Sequence, residues 1–406
     1  MSEGHHDIAM AETTQPESKT VSLRYVEKPR EPLREPLPLI APDIVHLPQL
    51  VASLPAPARE RFQRIFHVST CVGKLNPPEA MHEWIKGYFG SVEAVLEQRI
   101  VKVTNLVTME SALFNELRAR RPVEARAPSD AVIEARTRVG DPFCRPEQAT
   151  PEDVFGRVRG RHCITASNIA KYDGFHGLVI FDEHDPLAFD AKEVTDYVDT
   201  AYRWALEAHK VDPEAKYFFL MWNCLWKAAA SILHGHMQMT VTRDMHYVKV
   251  EALRRAALAY RQEHGSNYFD DLYAAHADLG LGFERDGVRV IAYLTPVKER
   301  ETLLLANDLN PTLSRAVYDT LACFRDQMGV QSFNVAICMP PLAEVDEDWS
   351  AFPILVRAVD RGDPINRTGD IGGMELYAAN VIGTDPFFVI EQLAEVFLAS
   401  GGTGRR

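Results

Sequence analysis

Ser231-Ile-Leu-His234-Gly-His236-Met-Gln238-Met-Thr-Val is the stretch on which the reading of this 406-residue chain turns. His234, His236 and Gln238 occupy alternate positions. Residues two apart on a strand share a face, so if Met237, Met239 and Val241 are the buried set, the two histidines and the glutamine share the other. That face holds three polar groups against one ligand. A neutral imidazole is a competent nucleophile near neutral pH, and a glutamine amide beside it donates to a phosphate oxygen as charge builds there. The other histidine is left free to ligate a metal. Two surface histidines at a strand start would satisfy the same short pattern, so the surroundings decide.

His-x-His-x-Gln with Ser231 three residues ahead resembles the galactose-1-phosphate uridylyltransferase branch of the histidine-triad superfamily, whose motif reads roughly Ser-Asn-Pro-His-Pro-His-Gly-Gln. The resemblance implies that His236 attacks an α-phosphorus and carries a nucleotidyl group. It also implies that Gln238 and Ser231 hold phosphate oxygens and that His234 binds zinc.

Upstream residues extend it. The family's amino-terminal motif, approximately Asn-Pro-Leu-Thr-Gly-x-Trp-Val-Ile-x-x-Pro-x-Arg-x-x-Arg-Pro, is met without a gap by Asn105, Thr108, Arg118, Arg121 and Pro122. Its two arginines grip substrate phosphates, a task suited to the forked guanidinium. Asp141-Pro-Phe-Cys144 stands where the family shows Cys-x-x-Cys, and zinc accepts carboxylate as well as thiolate. His184 ends the apolar run Gly177 to Phe181 and precedes His234 by 50 residues, close to the family interval. The resemblance therefore implies one structural zinc on Asp141, Cys144, His184 and His234. Asn168 matches the nucleotide-binding asparagine, and Asn223, eleven residues before His234, matches a phosphate-contacting one.

Departures from the pattern accumulate around the sugar and ribose contacts. Ile169 replaces a ribose-binding aspartate, and Ala229 replaces a glycine. In the segment matching Gly372-Gly-Met-Glu375-Leu-Tyr, Val381 replaces a glutamine while Glu375 is retained. No histidine follows His276, so the family's optional second metal site has no ligands here.

Periodicity predicts a helix over Ala191 to Val211, with Val194, Val198, Ala201, Tyr202, Ala205 and Ala208 at three- and four-residue intervals, and a strand over Tyr217 to Trp222. The carboxyl half repeats the plan. Strands are expected over Val288–Leu294, Glu301–Leu305, Ser332–Met339 and Phe352–Val359, with a helix over Pro311–Met328. The predicted fold is a duplicated α+β histidine-triad-like fold, with antiparallel sheets flanked by helices. An amino-terminal extension (1–98) precedes a half bearing the site (99–250) and a degenerate half (251–406). The extension is expected to be disordered at its start, Pro-rich around Arg30 to Leu39 and helical from about Pro57.

Composition sets the bounds. With 46% hydrophobic and 25% charged residues the chain reads as an ordinary globular protein. A net charge of −13 excludes a broad footprint for a nucleic-acid polymer but leaves room for small anions in a local cationic pocket. The six cysteines are scattered, with no CxxC pair, which fits a reduced cytoplasmic setting. No apolar stretch is long enough for a bilayer. The expected partners are a nucleotide-sugar or other nucleoside diphosphate derivative and a phosphorylated acceptor, and a homodimer is an allowed assembly. The expected activity is nucleotidyl transfer by double displacement. Two alternatives are a phosphorylase or hydrolase of a dinucleotide or nucleotide-sugar using the same histidine, and a nucleotide- or metal-binding protein without turnover.

Overall fold

Along His236–Thr242 the chain buries Met237, Met239 and Val241 against the main core and turns His236, Gln238 and Thr240 the other way, the alternation expected of a strand. The computed structural model describes residues 42–120, 122 and 131–400. The expectations for the disordered start and the Pro-rich segment lie outside them. The strands in chain order are β1 (Phe66–Lys74), β2 (Glu97–Asn105), β3 (Ser111–Phe114), β4 (Cys163–Ser167), β5 (Phe175–Phe181), β6 (Tyr217–Asn223) and β7 (His236–Thr242), then β8 (Gly282–Arg285), β9 (Val288–Ala292), β10 (Thr302–Ala306), β11 (Phe333–Cys338), β12 (Ile354–Asp360) and β13 (Asn380–Ile382).

Two sheets flanked by helices result, the α+β class read from the sequence. A nine-stranded sheet runs β4-β5-β7-β6-β11-β12-β10-β9-β8, and its pairings are antiparallel. A four-stranded sheet runs β1-β2-β3-β13, with β13 parallel to β3. The helix Ala191–Val211 forms over the predicted residues. Asp190 caps it and Glu193 closes a capping box, so its first backbone N–H groups are satisfied. It covers the apolar face of the first half: Tyr197 stacks on Phe181 with ring centroids 3.8 Å apart, and Trp204 and Trp222 are fully buried. The helix Pro311–Ala322, capped by Asn310, does the same for the second half.

The duplication is visible in the strand order. Read inward from one side, the large sheet gives β4-β5-β7-β6; read from the other after β8, it gives β9-β10-β12-β11. The two sets meet where Asn223 of β6 opposes Asn334 of β11. Trp222 opposes Met237 in the first set as Ile337 opposes Val356 in the second. Laying strand ends on strand ends therefore puts His236 on Leu355 and Gln238 on Arg357, since Ile180 and Leu178 face the first pair as Leu305 and Leu303 face the second.

The second half's counterpart of the site is filled. Leu355 and Arg357 lie under Leu253, Tyr268, Phe269 and Leu272, which come from two helices, Val248–His264 and Tyr268–Ala277, and only about 20 Å³ remains open. The turn after β2 closes the rest. Glu110 accepts from Arg357 at 2.7 Å, and Asn105 donates to the hydroxyls of Tyr268 and Tyr293 at 2.8 and 3.1 Å. The segment expected to be helical from Pro57 thus also contributes β1, paired along its whole length with β2. Its small sheet serves as a cover for the half that lacks the His-x-His-x-Gln site.

Candidate functional site

Four side chains from three chain segments converge at the end of β5 and the start of β7. Asp141 and Cys144 sit on one loop, His184 follows β5, and His234 precedes β7; their donor atoms all lie within 4.8 Å of one another. Taking the nearer Asp141 oxygen for each partner, the six separations run from 3.1 to 3.6 Å. His184 Nδ1 is 3.1 Å from His234 Nδ1, 3.5 Å from Cys144 Sγ and 3.3 Å from Asp141 Oδ2. Cys144 Sγ is 3.6 Å from His234 Nδ1 and 3.5 Å from Asp141 Oδ2, and His234 Nδ1 is 3.6 Å from Asp141 Oδ1. Metal–nitrogen bonds near 2.0 Å and metal–sulfur bonds near 2.3 Å in a tetrahedron demand edges of about 3.3 to 3.8 Å. The set could hold a metal.

The histidine tautomer agrees. His234 donates Nε2–H to the Phe181 carbonyl at 2.8 Å, which leaves a bare lone pair on Nδ1 facing the other three groups. Burial holds its pKa below the usual imidazole range. Gly235 lets this turn form, because a Cβ there would run into the ring of Phe181.

One step along β7, His236 is buried and donates Nδ1–H to the His234 carbonyl at 2.8 Å. Its Nε2 lone pair has no protein partner among the described residues. The Phe143 ring meets the imidazole edge-on at 5.1 Å, and Phe143 packs with Ile164, Leu178 and Ile180 on this face of the sheet. Burial lowers the His236 pKa, which favours the neutral, nucleophilic form. Gln238 lies on the same face, and its Oε1 accepts from His176 Nε2 at 3.0 Å. Asn168 reaches the same ring nitrogen, its Nδ2 3.3 Å from that Nε2.

The loop between β6 and β7 carries the remaining expected contacts. Asn223 ends β6, and its Oδ1 accepts from Asn334 Nδ2 at 2.7 Å; Arg361 donates in turn to Asn334 Oδ1. Ser231 is exposed on the loop. Two residues here hold left-handed backbone without being glycine: Leu225 at φ 64° and Ala229 at φ 70°. Ala229 is the position expected to carry glycine, and its conformation is one that glycine adopts without penalty.

The arginine motif ends elsewhere. Arg121 lies outside the described residues, and Arg118 is exposed on the wall of a cavity of about 890 Å³. That cavity is lined also by Lys227, Lys298, Arg300, Arg361, Glu375 and Val381, among others, and not by His236 or Gln238. Lys227 donates to the carbonyls of Asn366 and Thr368, and burial lowers its pKa. The structure thus brings together the four expected metal ligands and, on the adjoining face, His236 with Gln238, Asn168 and Asn223 along the same sheet. Arg118 stands apart with Glu375 and Val381.

Sequence reasoning missed His176 and Phe143. His176 had a signal: it is the one polar side chain in the strand Phe175–Phe181, two and four residues before Leu178 and Ile180, whose face it shares with Gln238. Phe143 lay hidden inside the Asp141-Pro-Phe-Cys144 ligand pair.

No protein-family model matches this sequence, and no curated protein does. Solved structures match it in fold. ADP-glucose phosphorylase from Arabidopsis thaliana with bound ADP-glucose aligns with a TM-score of 0.55 at 18% identity, over 71% of this chain and 96% of that one. A GalT-like protein from Arabidopsis thaliana gives 0.52 at 16% identity, over 72% and 97%. A uridylyltransferase gives 0.51 at 14%, over 73% and 98%. At these identities the likeness is one of architecture: this chain carries the duplicated α+β fold of those enzymes nearly end to end.

Proposed function

We propose that this protein transfers a nucleoside monophosphate through a covalent intermediate on His236. The observation that carries the reading is the Nδ1–H···O=C bond from His236 to His234, which fixes the tautomer and leaves Nε2 as the nucleophile. The Nε2 lone pair attacks the α-phosphorus as the bond to the bridging oxygen breaks, and the leaving phosphate or sugar phosphate departs with that electron pair. The resulting imidazolium keeps its Nδ1–H on the His234 carbonyl, so the positive charge forms against an oriented dipole. An acceptor oxygen then attacks phosphorus from the opposite side, the N–P bond breaks, and neutral His236 returns. Gln238, Ser231 and Asn223 are assigned to the phosphate oxygens and Asn168 to the nucleoside.

Arg118 and, with it, Arg121 are assigned to flanking phosphates. β7 and β12 are three strand spacings apart, roughly 14 Å at about 4.8 Å per spacing. A ligand touching both His236 and the side of the Arg118 cavity where Asp360 ends β12 and Arg361 follows it would therefore be an extended one, such as a nucleotide-sugar. Asp141, Cys144, His184 and His234 would hold zinc, chosen for a donor set of two imidazoles, a thiolate and a carboxylate. Four protein ligands leave no open position, so the ion's contribution is to brace the loops on either side of His236.

A second reading keeps the intermediate and makes inorganic phosphate the acceptor. Val381, in place of an amide on the cavity wall, favours it, as does the fold shared with ADP-glucose phosphorylase. Mass spectrometry of the protein after incubation with nucleotide-sugars and dinucleotides tests the common step. Product analysis with and without phosphate separates the two acceptors. A protein that binds these donors and never forms the adduct would be the non-catalytic alternative.

A further inference from the structure

We infer that His176 is a positioning residue that acts through Gln238, locking its carboxamide so that the NH2 group, and not the oxygen, faces the ligand. The proposal rests on the reading of the site given above for its kinetic consequence, and on geometry alone for its structural one. His176 is fully buried at the centre of a short relay. The backbone N–H of Tyr172 donates to its Nδ1 at 3.0 Å, which makes Nδ1 an acceptor and places the ring proton on Nε2. That Nε2–H points to Gln238 Oε1 at 3.0 Å, and Asn168 Nδ2, 3.3 Å from the same nitrogen, finds no lone pair there, since the lone pair is on Nδ1. The glutamine oxygen is thereby held inward, and its amide nitrogen has no protein partner among the described residues.

An amide left to itself has two nearly isosteric orientations, one presenting a donor and the other an acceptor. Only the donor is useful against a phosphate oxygen. His176 selects it. The Tyr172 ring stacks on the imidazole with centroids 4.4 Å apart and 19° between planes, and the Asn168 N–H donates to the His176 carbonyl at 2.8 Å. The loop 168–174 therefore sets the imidazole, and the imidazole sets the amide. The charged groups around the ring are Lys171, Asp153 and Asp173. Lys171 Nζ bonds to Ser167 Oγ at 2.6 Å and lies 3.8 Å from Asp153 Oδ1, so neither of these two charges faces the ring unpaired. Burial keeps the imidazole neutral, the form the relay requires.

Two measurements on the full chain decide this. In protein labelled with 15N-histidine, the His176 signals, identified by their loss in His176→Gln, are expected to show the neutral Nε2–H tautomer at pH 7; an Nδ1–H tautomer or a protonated ring overturns the proposal. This readout needs no turnover, so it stands even where no donor labels His236. The second is single-turnover labelling of His236 with ADP-glucose and with UDP-glucose. His176→Phe is expected to slow labelling 10- to 100-fold with little change in the donor concentration at half-saturation, and His176→Gln, which keeps a donor, to recover most of the loss. In a Gln238→Ala background, His176→Phe should have no further effect. Equal multiplicative losses in both backgrounds would show that His176 does not act through Gln238.

Discussion

His184 Nδ1 and His234 Nδ1 stand 3.1 Å apart, and the second of them is an unprotonated lone pair because its ring proton is already given to the Phe181 carbonyl. Two imidazole nitrogens at that distance, with a carboxylate and a thiol at 3.3 to 3.6 Å, form a donor set that could hold a metal. Freshly purified, unchelated protein is therefore expected to contain one equivalent of zinc by elemental analysis. Cys144→Ser should lower the melting temperature by roughly 5 °C or more, since a structural metal is coupled to folding. Protein isolated without zinc and indifferent to chelators would remove the metal from the site.

His236→Asn removes the nucleophile and keeps a side chain able to donate to the His234 carbonyl. Turnover should fall on the order of 10⁴-fold or more and the phosphorus adduct should vanish from the mass spectrum, with donor binding little changed. An adduct of unaltered yield would place the nucleophile elsewhere.

Uridylyl exchange between UDP-glucose and galactose 1-phosphate should be poor or absent. Val381 lines the cavity with Glu375 and offers no hydrogen bond, and an unpaired sugar hydroxyl there costs about 1 to 3 kcal/mol. Thr384 also lines the cavity, but its backbone N–H is already committed to Glu299. A coupled assay at millimolar substrate that shows robust exchange would refute this expectation.

Most of the large sheet and two of its helices, Ala191–Val211 and Pro311–Ala322, could be read from periodicity, because each buries a continuous stripe; the first matches the expected bounds, and the second ends six residues short of the expected Met328. The four donor residues were readable because they fall where the family that the chain resembles places its metal ligands. The small sheet was not. β1 leaves most of its side chains exposed, so its pattern is weak, and β13 joins β3 from more than 260 residues away. His176 escaped for a related reason, since a lone polar residue in an apolar strand declares its partner only when the neighbouring strand is in register.

Acid should destabilise the fold through histidines far from the site. Burial lowers His246 and His276 to about 4, against 6.5 for the unfolded chain. Between those values the unfolded state binds more protons, so stability is complete above pH 6.5 and is lost as pH falls toward 4, by roughly 3 kcal/mol for each histidine. Urea midpoints measured from pH 7.5 to 5.0 should fall more gently for His246→Phe than for the parent. Parallel curves would mean that His246 does not contribute.

Gly235→Ala tests how tightly the turn between His234 and His236 is built. The added methyl meets the Phe181 ring, so a loss of about 1 to 3 kcal/mol is expected, together with weaker metal retention as His234 is displaced. Calorimetry and metal content measured together should move in step; a stable variant that keeps its metal would show that Phe181 yields.

The pairing of His236 with Leu355 and of Gln238 with Arg357 across the doubled sheet divides the chain's vulnerabilities. His236 and Gln238 are the residues proposed to meet a ligand, whereas their counterparts are shut in under Tyr268, Phe269 and Leu272. Substitutions at His236 or Gln238 should therefore give inert but well-folded protein, and substitutions at Leu355 or Arg357 scarce, aggregating or degraded protein. A screen that scores abundance and activity separately would tell the two counterpart positions apart without reference to coordinates.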